Sequence, residues 1–117
     1  MSKYDAKQLE LLNIQIGCVF KLARLKEKIS QENLGLAIGA DKTKISRLEK
    51  NAHATNWNTI YLVSHELGIN FSSLFILKSK EDILLIIDEC IKLDTKLTLV
   101  KNRYYDNLKK TISEYQL

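Results

Sequence analysis

The chain has 117 residues, a length that fits one ordinary domain with a short extension. Its composition, 45% hydrophobic and 27% charged, is typical of a globular protein and excludes a disordered chain. The net charge of +4 permits a polyanionic partner but does not require one. The longest apolar run, residues 83–87, is too short to span a membrane, and the first residues do not form a signal-peptide hydrophobic segment. We therefore expect a cytoplasmic protein that does not associate with membranes.

Few residues of the chain have a spacing that would support catalysis or metal binding. Cys18 and Cys90 are too far apart for a disulfide framework or a zinc site, and we expect both in the core. His53 and His65 lack a third ligand at metal spacing, and no phosphate loop or nucleophile elbow is present. We therefore expect no enzyme, no cofactor and no metal.

The absence of proline and the four glycines favour helices joined by short turns. The first predicted helix covers residues 6–28, and its single apolar stripe consists of Leu9, Leu12, Ile16, Phe20 and Ala23.

Two short helices are predicted next, separated by a tight turn. Ser30 is an N-cap for a helix that ends at Gly39, and Asp41 is an N-cap for a helix over residues 42–50. Asn51 follows where a left-handed residue is expected, since asparagine tolerates that conformation.

A fourth helix is predicted over residues 57–67, with Asn56 as its cap and Gly68 at its end. Its inner face is expected to consist of Trp57, Ile60, Tyr61, Ser64 and Leu67. Asn70 can cap a short fifth helix over residues 71–75.

The remaining residues predict a strongly apolar helical extension. Ser79 and Asp82 resemble a capping box before a helix that runs to about residue 93. Asp94 and Thr95 can cap a last helix to about residue 115, but no glycine or proline marks a turn at residues 93–95, so a single long helix stays open. The apolar stripe of this extension can pack on the preceding helices or on a partner chain.

Residues 16–75 resemble the Cro/cI-like (Xre) family of bacterial and phage helix-turn-helix regulators. The resemblance rests on Ile16-Gly17, Lys21 and Arg24, and on the segments Ile29-Ser30-Gln31-Glu32-Asn33-Leu34, Ile38-Gly39-Ala40-Asp41, Ile45-Ser46-Arg47-Leu48-Glu49, Glu66-Leu67-Gly68-Ile69-Asn70 and Leu74-Phe75. It implies an all-α protein with a five-helix lambda-repressor-like DNA-binding domain over residues 1–76. Residues 77–117 lie beyond the resemblance as a C-terminal helical extension of one or two helices.

In such a motif the second helix lies across the phosphate backbone and the third enters the major groove. The pattern of the third helix turns Ile45 and Leu48 inward, and it leaves Lys42, Thr43, Lys44, Ser46 and Arg47 facing outward as candidate base-reading residues. The resemblance places Lys42, Thr43 and Arg47 at the base-reading positions of the family.

The resemblance also makes Gln31 a phosphate contact, at a helix start where free N–H groups favour anions. Four further residues flank the next loop and are candidate phosphate ligands: Lys50, Asn51, Asn56 and Asn58. Arg24 and Glu49 match an ion pair between the first and third helices of the family.

These features predict a sequence-specific transcriptional regulator of double-stranded DNA, a repressor acting as a homodimer through residues 80–117. Two alternatives stay open. The chain can be the antitoxin of a toxin–antitoxin pair, with the C-terminal helices bound to a protein partner. It can also be an interaction adaptor that keeps the fold without reading DNA.

Overall fold

The computed structural model describes residues 6–95 and 97–115 of the chain. These residues form six α-helices and two 3₁₀ turns without a strand, which confirms the predicted all-α class. None of the helices in this part of the chain is long and apolar enough to cross a membrane. The helices are α1 (Ala6–Lys26), α2 (Gln31–Ala37), α3 (Lys42–Lys50), α4 (Trp57–Glu66), α5 (Lys80–Leu93) and α6 (Leu99–Glu114), and the 3₁₀ turns are Ala52–Ala54 and Ser72–Phe75.

The starts of four helices follow the predicted caps. The side chains of Ser30, Asp41, Asn56 and Ser79 each accept a hydrogen bond from the backbone N–H three residues later. Each bond satisfies one of the N–H groups that a helix start leaves without an intrahelical partner. The sequence therefore determines where these helices begin.

The ends of α1, α2 and α4 share one geometry, in which the chain turns through a left-handed residue. Gly39 and Gly68 have positive φ, as predicted. The end of α1 uses Lys28 instead, with φ 57°. There the N–H of Ile29 donates to the Arg24 carbonyl at 3.2 Å, and that of Lys28 donates to the Leu25 carbonyl at 3.1 Å. This is the bonding pattern of a Schellman motif, usually built on glycine.

The prediction of a left-handed Asn51 is wrong, because its φ of −150° and ψ of 63° are outside that region. Its N–H still closes α3 by donating to the Arg47 carbonyl at 2.7 Å. The chain then enters the 3₁₀ turn Ala52–Ala54 directly, so it needs no left-handed reversal at this point.

The predicted fifth helix is a 3₁₀ turn, Ser72–Phe75, and not an α-helix. At its end the Gln15 side-chain amide donates to the Leu74 and Ile76 carbonyls, at 3.1 and 2.9 Å. The Gln15 side-chain oxygen also accepts a hydrogen bond from the Lys78 N–H at 2.7 Å. Gln15 is fully buried and therefore fixes the segment that leads into α5.

Helix α1 contributes to two hydrophobic cores on nearly opposite sides, as its 3.6-residue period allows. The N-terminal core joins α1 through Ile16 and Phe20 to α2, α3, α4 and Leu74. The hairpin core joins the other side of α1 to α5 and α6, with Leu11, Ile14, Cys18, Leu22, Ile83, Ile87, Cys90, Tyr105, Ile112 and Tyr115. The sequence left open whether the apolar extension is one long helix or two. The structure has two helices, α5 and α6, which form a hairpin packed on α1 of the same chain.

Because two stripes of α1 are buried, the single predicted stripe is incomplete. Leu9, expected inside, is 47% exposed at the start of the helix. Cys18 and Cys90 lie in the hairpin core, where the Cys90 thiol donates to the Cys18 carbonyl at 3.6 Å. Burial raises the pKa of both thiols to about 12, so they remain neutral core residues at physiological pH.

The prediction that Asp94 caps the last helix is wrong. Helix α6 begins after Thr98, whose side chain accepts from the Lys101 N–H, and Asp94 ends α5 instead. The buried Asp94 carboxylate accepts from the Tyr105 hydroxyl at 3.0 Å and from Lys101 Nζ at 3.2 Å. Lys21 Nζ lies 3.8 Å from the same carboxylate and 4.4 Å from the centre of the Tyr105 ring. These contacts fix the hairpin turn against α1.

We expect Gln15→Leu to lower the free energy of unfolding by about 2–4 kcal/mol, because it leaves two carbonyls and one N–H without their partner. Urea unfolding measures the change. The matched control is Gln8→Leu on the exposed part of α1, which is expected to stay within about 0.5 kcal/mol of the parent. Equal effects of the two substitutions would contradict the role of Gln15.

We expect Lys28→Gly to raise the free energy of unfolding by about 1 kcal/mol, because a left-handed conformation costs an L-residue about 1–2 kcal/mol and glycine almost nothing. Lys26→Gly, two residues earlier within α1, is the control and is expected to destabilise the chain. If both substitutions destabilise in urea, Lys28 is not the strained end of α1.

Candidate nucleic-acid interface

Helices α2 and α3 pack closely around the short turn between them. A Cβ atom on Gly35 would lie 2.5 Å from the carbonyl oxygen of Asp41, the N-cap of α3. The Gly35 carbonyl accepts from the Ala40 N–H at 2.8 Å, which closes the turn at Gly39. A glycine is therefore required at position 35, because any side chain would push the two helices apart.

Helix α3 is held against α1 at two points. A Cβ atom on Gly17 would collide with the Glu49 carbonyl oxygen, so the two backbones approach closely there. Arg24 Nε donates to Glu49 Oε2 at 2.6 Å and Arg24 Nη2 donates to Oε1 at 3.2 Å. This bidentate pair is buried, with side-chain exposures of 10% and 3%. The structure thus brings together the two residues that the resemblance paired.

The opposite side of α3 faces solvent. Ile45 and Leu48 are completely buried, as the sequence pattern predicts. All five residues predicted to read bases lie on the other side, where Ser46 is half-buried and the other four are exposed: Lys42, Thr43, Lys44, Ser46 and Arg47. This face therefore presents three cations and two hydroxyl groups to solvent.

The electrostatics of α3 are one-sided. Its sequence contains four cations, with Lys50 the fourth, and a single acid, Glu49. Because Glu49 points inward to Arg24, no carboxylate of α3 offsets the cations on the outer face. The result is a short helix with a buried acid and an exposed positive surface, which suits phosphate and base-edge acceptors.

Gln31 lies at the start of α2 but is not directed only toward solvent. Its Nε2 donates to Glu49 Oε1 at 3.0 Å, and the side chain is half-buried. Arg24 Nη1 donates in turn to the Ile29 carbonyl at 3.0 Å. The first turn of α2, the end of α1 and α3 are therefore joined in one hydrogen-bonded network. The predicted phosphate contact of Gln31 requires its side chain to leave Glu49 or to use another atom.

The other predicted phosphate ligands lie on or after the end of α3, and all are exposed: Lys50, Asn51, Asn56 and Asn58. The Asn56 side-chain oxygen is engaged as the cap of α4, where it accepts from the Thr59 N–H and hydroxyl. The loop is fixed to α1, because the Asn13 side chain accepts from the His53 N–H at 2.8 Å.

Sequence reasoning missed the polar residues of α1 that hold this arrangement, Asn13 and Gln15. Both interrupt the apolar run of residues 11–20, and a polar residue in such a run is a signal that a buried backbone group needs a partner.

The sequence pattern also misplaced Trp57 and Tyr61 on the inner face of α4. They are 69% and 51% exposed, because Val63 fills that face together with Ile60 and Leu67.

Across residues 6–95 and 97–115, no three His, Cys, Asp or Glu side chains are placed to share a metal ion. No family model matches the chain, and neither a curated protein nor a solved structure matches it.

We expect Glu49→Ala to lower the free energy of unfolding by about 3–5 kcal/mol, because it leaves the buried Arg24 guanidinium without its counter-charge. Thermal and urea unfolding measure the loss. The control is Asp88→Ala, which breaks the more exposed Asp88–Lys109 pair and is expected to cost less than about 1 kcal/mol. Similar losses for the two variants would mean that burial of the Arg24–Glu49 pair has no energetic consequence.

Proposed function

We propose that the chain is a sequence-specific DNA-binding transcriptional regulator of the cytoplasm, a repressor that reads the major groove with α3. The observation that carries the proposal is the exposed cationic face of a helix whose only acid is buried in the pair with Arg24. In this proposal α1 to α4 and the turn Ser72–Phe75 form a lambda-repressor-like domain, and the hairpin of α5 and α6 is an extension of it.

The chemistry of that face suits base edges. Arg47 can donate two parallel hydrogen bonds to guanine O6 and N7, and Lys42 can donate to the same acceptors. Thr43 can bond a base or contact a thymine methyl group. Lys44 and Ser46 complete the contact surface, and the Lys50–Asn58 region supplies phosphate contacts that set the register.

The proposal includes a homodimer, which places two α3 helices on successive turns of one DNA face. The half-sites are then about 34 Å apart and related by a pseudo-two-fold axis. Double-stranded DNA and a second copy are the partners required.

Selection of random duplex DNA by the purified chain at near-physiological salt tests the proposal. We expect enrichment of an inverted repeat with half-sites about one helical turn apart. Weak binding that vanishes as salt rises, without an enriched sequence, would contradict sequence reading and indicate nonspecific electrostatics. DNA binding with little dependence on salt would favour the adaptor alternative.

We expect Arg47→Ala to weaken binding to the selected duplex by about 10–100-fold and to relax specificity at one base position, because a bidentate guanine contact contributes about 1–3 kcal/mol. The matched control is Arg103→Ala, an exposed arginine of α6 that removes the same charge. It is expected to change affinity by less than about threefold. Equal losses for the two variants, measured by fluorescence anisotropy, would place readout elsewhere.

The antitoxin alternative is favoured by one observation. The hairpin keeps exposed apolar side chains around the connection of α5 and α6, at Leu93, Leu97, Leu99 and Val100. A toxin bound there would leave α3 accessible to DNA, so the chain could still act as a repressor. An adjacent gene for a small toxin, whose product co-purifies with the chain, is the expected result under that alternative.

A further inference from the structure

A groove of about 700 Å³ opens on the surface between the first half of α1, the turn Ala52–Ala54 and the start of α4. Its floor contains Ile16 and Ile60, which belong to the N-terminal core. Its walls include Leu9, Trp57 and Phe75, which are exposed to 47, 69 and 45%. Trp57 is the only tryptophan of the chain, and most of its side chain is in contact with solvent.

The apolar surface continues beyond the groove along a row of rings. Phe75 lies edge-on to Phe71 at 5.2 Å, and Phe71 lies edge-on to Tyr61 at 5.6 Å. Tyr61 is 51% exposed. We call the surface formed by Leu9, Trp57, Tyr61 and Phe75 the groove face.

The size of the groove face can be compared with what a stable dimer requires. With roughly 200 Å² for each of these four side chains, the exposed fractions amount to roughly 400 Å² of apolar surface. One side of a standard interface buries about 800 Å², of which somewhat more than half is apolar. The groove face therefore supplies about as much apolar area as one subunit of a dimer contributes.

We propose that a second copy of this chain docks on the groove face about a two-fold axis. This inference rests on the proposed function and names the surface that pairs its two copies. In a two-fold interface the same patch meets itself, so each chain must provide both a projection and a recess. The groove face has both, since Trp57 projects beside an apolar groove into which the Trp57 of the other copy fits. Aromatic anchors of this type dominate the energy of interfaces.

The position of α3 favours the groove face over the hairpin. Helix α3 ends at Lys50, and Asn51 already lines the groove, so pairing there brings the ends of the two α3 helices close to the axis. If two copies paired through α5 and α6, the α1 helix and the hairpin of each copy would lie between the two α3 helices. That path contains five helix-to-helix spacings of 8–10 Å, so the two α3 helices would be roughly 40–50 Å apart. This is more than the one-turn distance of about 34 Å.

Sedimentation equilibrium of the full chain without DNA, at tens of micromolar, tests the proposal. The parent chain is expected at twice its mass of 13.5 kDa. Trp57→Lys is expected at the monomer mass, and Leu9→Lys, on another wall of the groove, is expected to shift the equilibrium the same way. The matched control Val100→Lys, at a 77% exposed position of α6, is expected to remain dimeric. Far-UV circular dichroism checks that each variant is helical, which the exposure of all three positions favours.

A monomeric parent chain, a dimeric Trp57→Lys variant or a Val100→Lys variant that dissociates would each overturn the proposal. These outcomes are separate from the failure of DNA reading, because mass is measured in the absence of DNA. A dimer that enriches no operator sequence would contradict the proposed function alone. A monomer that enriches single half-sites would contradict the pairing surface and the homodimer of the proposed function, and would leave DNA reading by α3 intact.

The fluorescence of Trp57 gives a second readout on unmodified protein. Burial of an exposed indole shifts its emission to shorter wavelength and reduces quenching by acrylamide. We expect both changes as the concentration rises from the nanomolar to the micromolar range, in the parent chain and in Val100→Lys alike. Emission that stays constant while sedimentation detects a dimer would place the interface elsewhere and overturn the proposal.

Discussion

The buried ion pair of Arg24 with Glu49 is the contact on which the candidate interface depends. Removing two charges from water is costly, and only bidentate geometry with further hydrogen bonds offsets that cost. Both conditions hold, since Arg24 also donates to the Ile29 carbonyl and Glu49 also accepts from Gln31. The pair therefore fixes α3 against α1. It also removes the one acid of α3 from the exposed face. This single ion pair therefore determines both the packing of α3 on α1 and the positive charge of the exposed face.

Helix α1 extends this constraint to the whole chain. One of its sides closes the N-terminal core and the other closes the hairpin core. Gln15, between them, bonds to three backbone groups of the connecting segment. The hairpin therefore covers apolar surface of α1 that would otherwise face water, and it contributes to stability whether or not it also binds a partner. Removing it would alter the support of α3 as well, which is why point variants are better tests than truncation.

The caps and glycines of the sequence predicted most helix boundaries, because these signals act over three or four residues. Ser30, Asp41 and Asn56 cap as expected for this reason. Asp94 was misread as a cap, because its burial beside Lys21 and Tyr105 depends on contacts distant in sequence. The inward position expected for Trp57 is wrong for a similar reason. Helical periodicity identifies a face, but the packed core decides which face is covered.

In the candidate site, too, some features follow from nearby sequence and others depend on contacts between residues distant in sequence. The outward face of α3 follows from the spacing of Ile45 and Leu48, and the pairing of Arg24 with Glu49 was implied by resemblance alone. Gly35 is explained by the approach of the Asp41 backbone, which no local pattern reveals. The third hydrogen bond that Glu49 accepts, from Gln31, likewise depends on the distance between two helix ends and could not be read from the sequence.

Backbone amide NMR of the labelled chain titrated with duplex DNA tests whether the exposed face of α3 contacts DNA. At low salt, we expect the largest shift changes on residues 42–50 and on the first turn of α2, with small changes on residues 80–115. Shift changes concentrated on the α5–α6 hairpin, with α3 unaffected, would rule out DNA binding by α3.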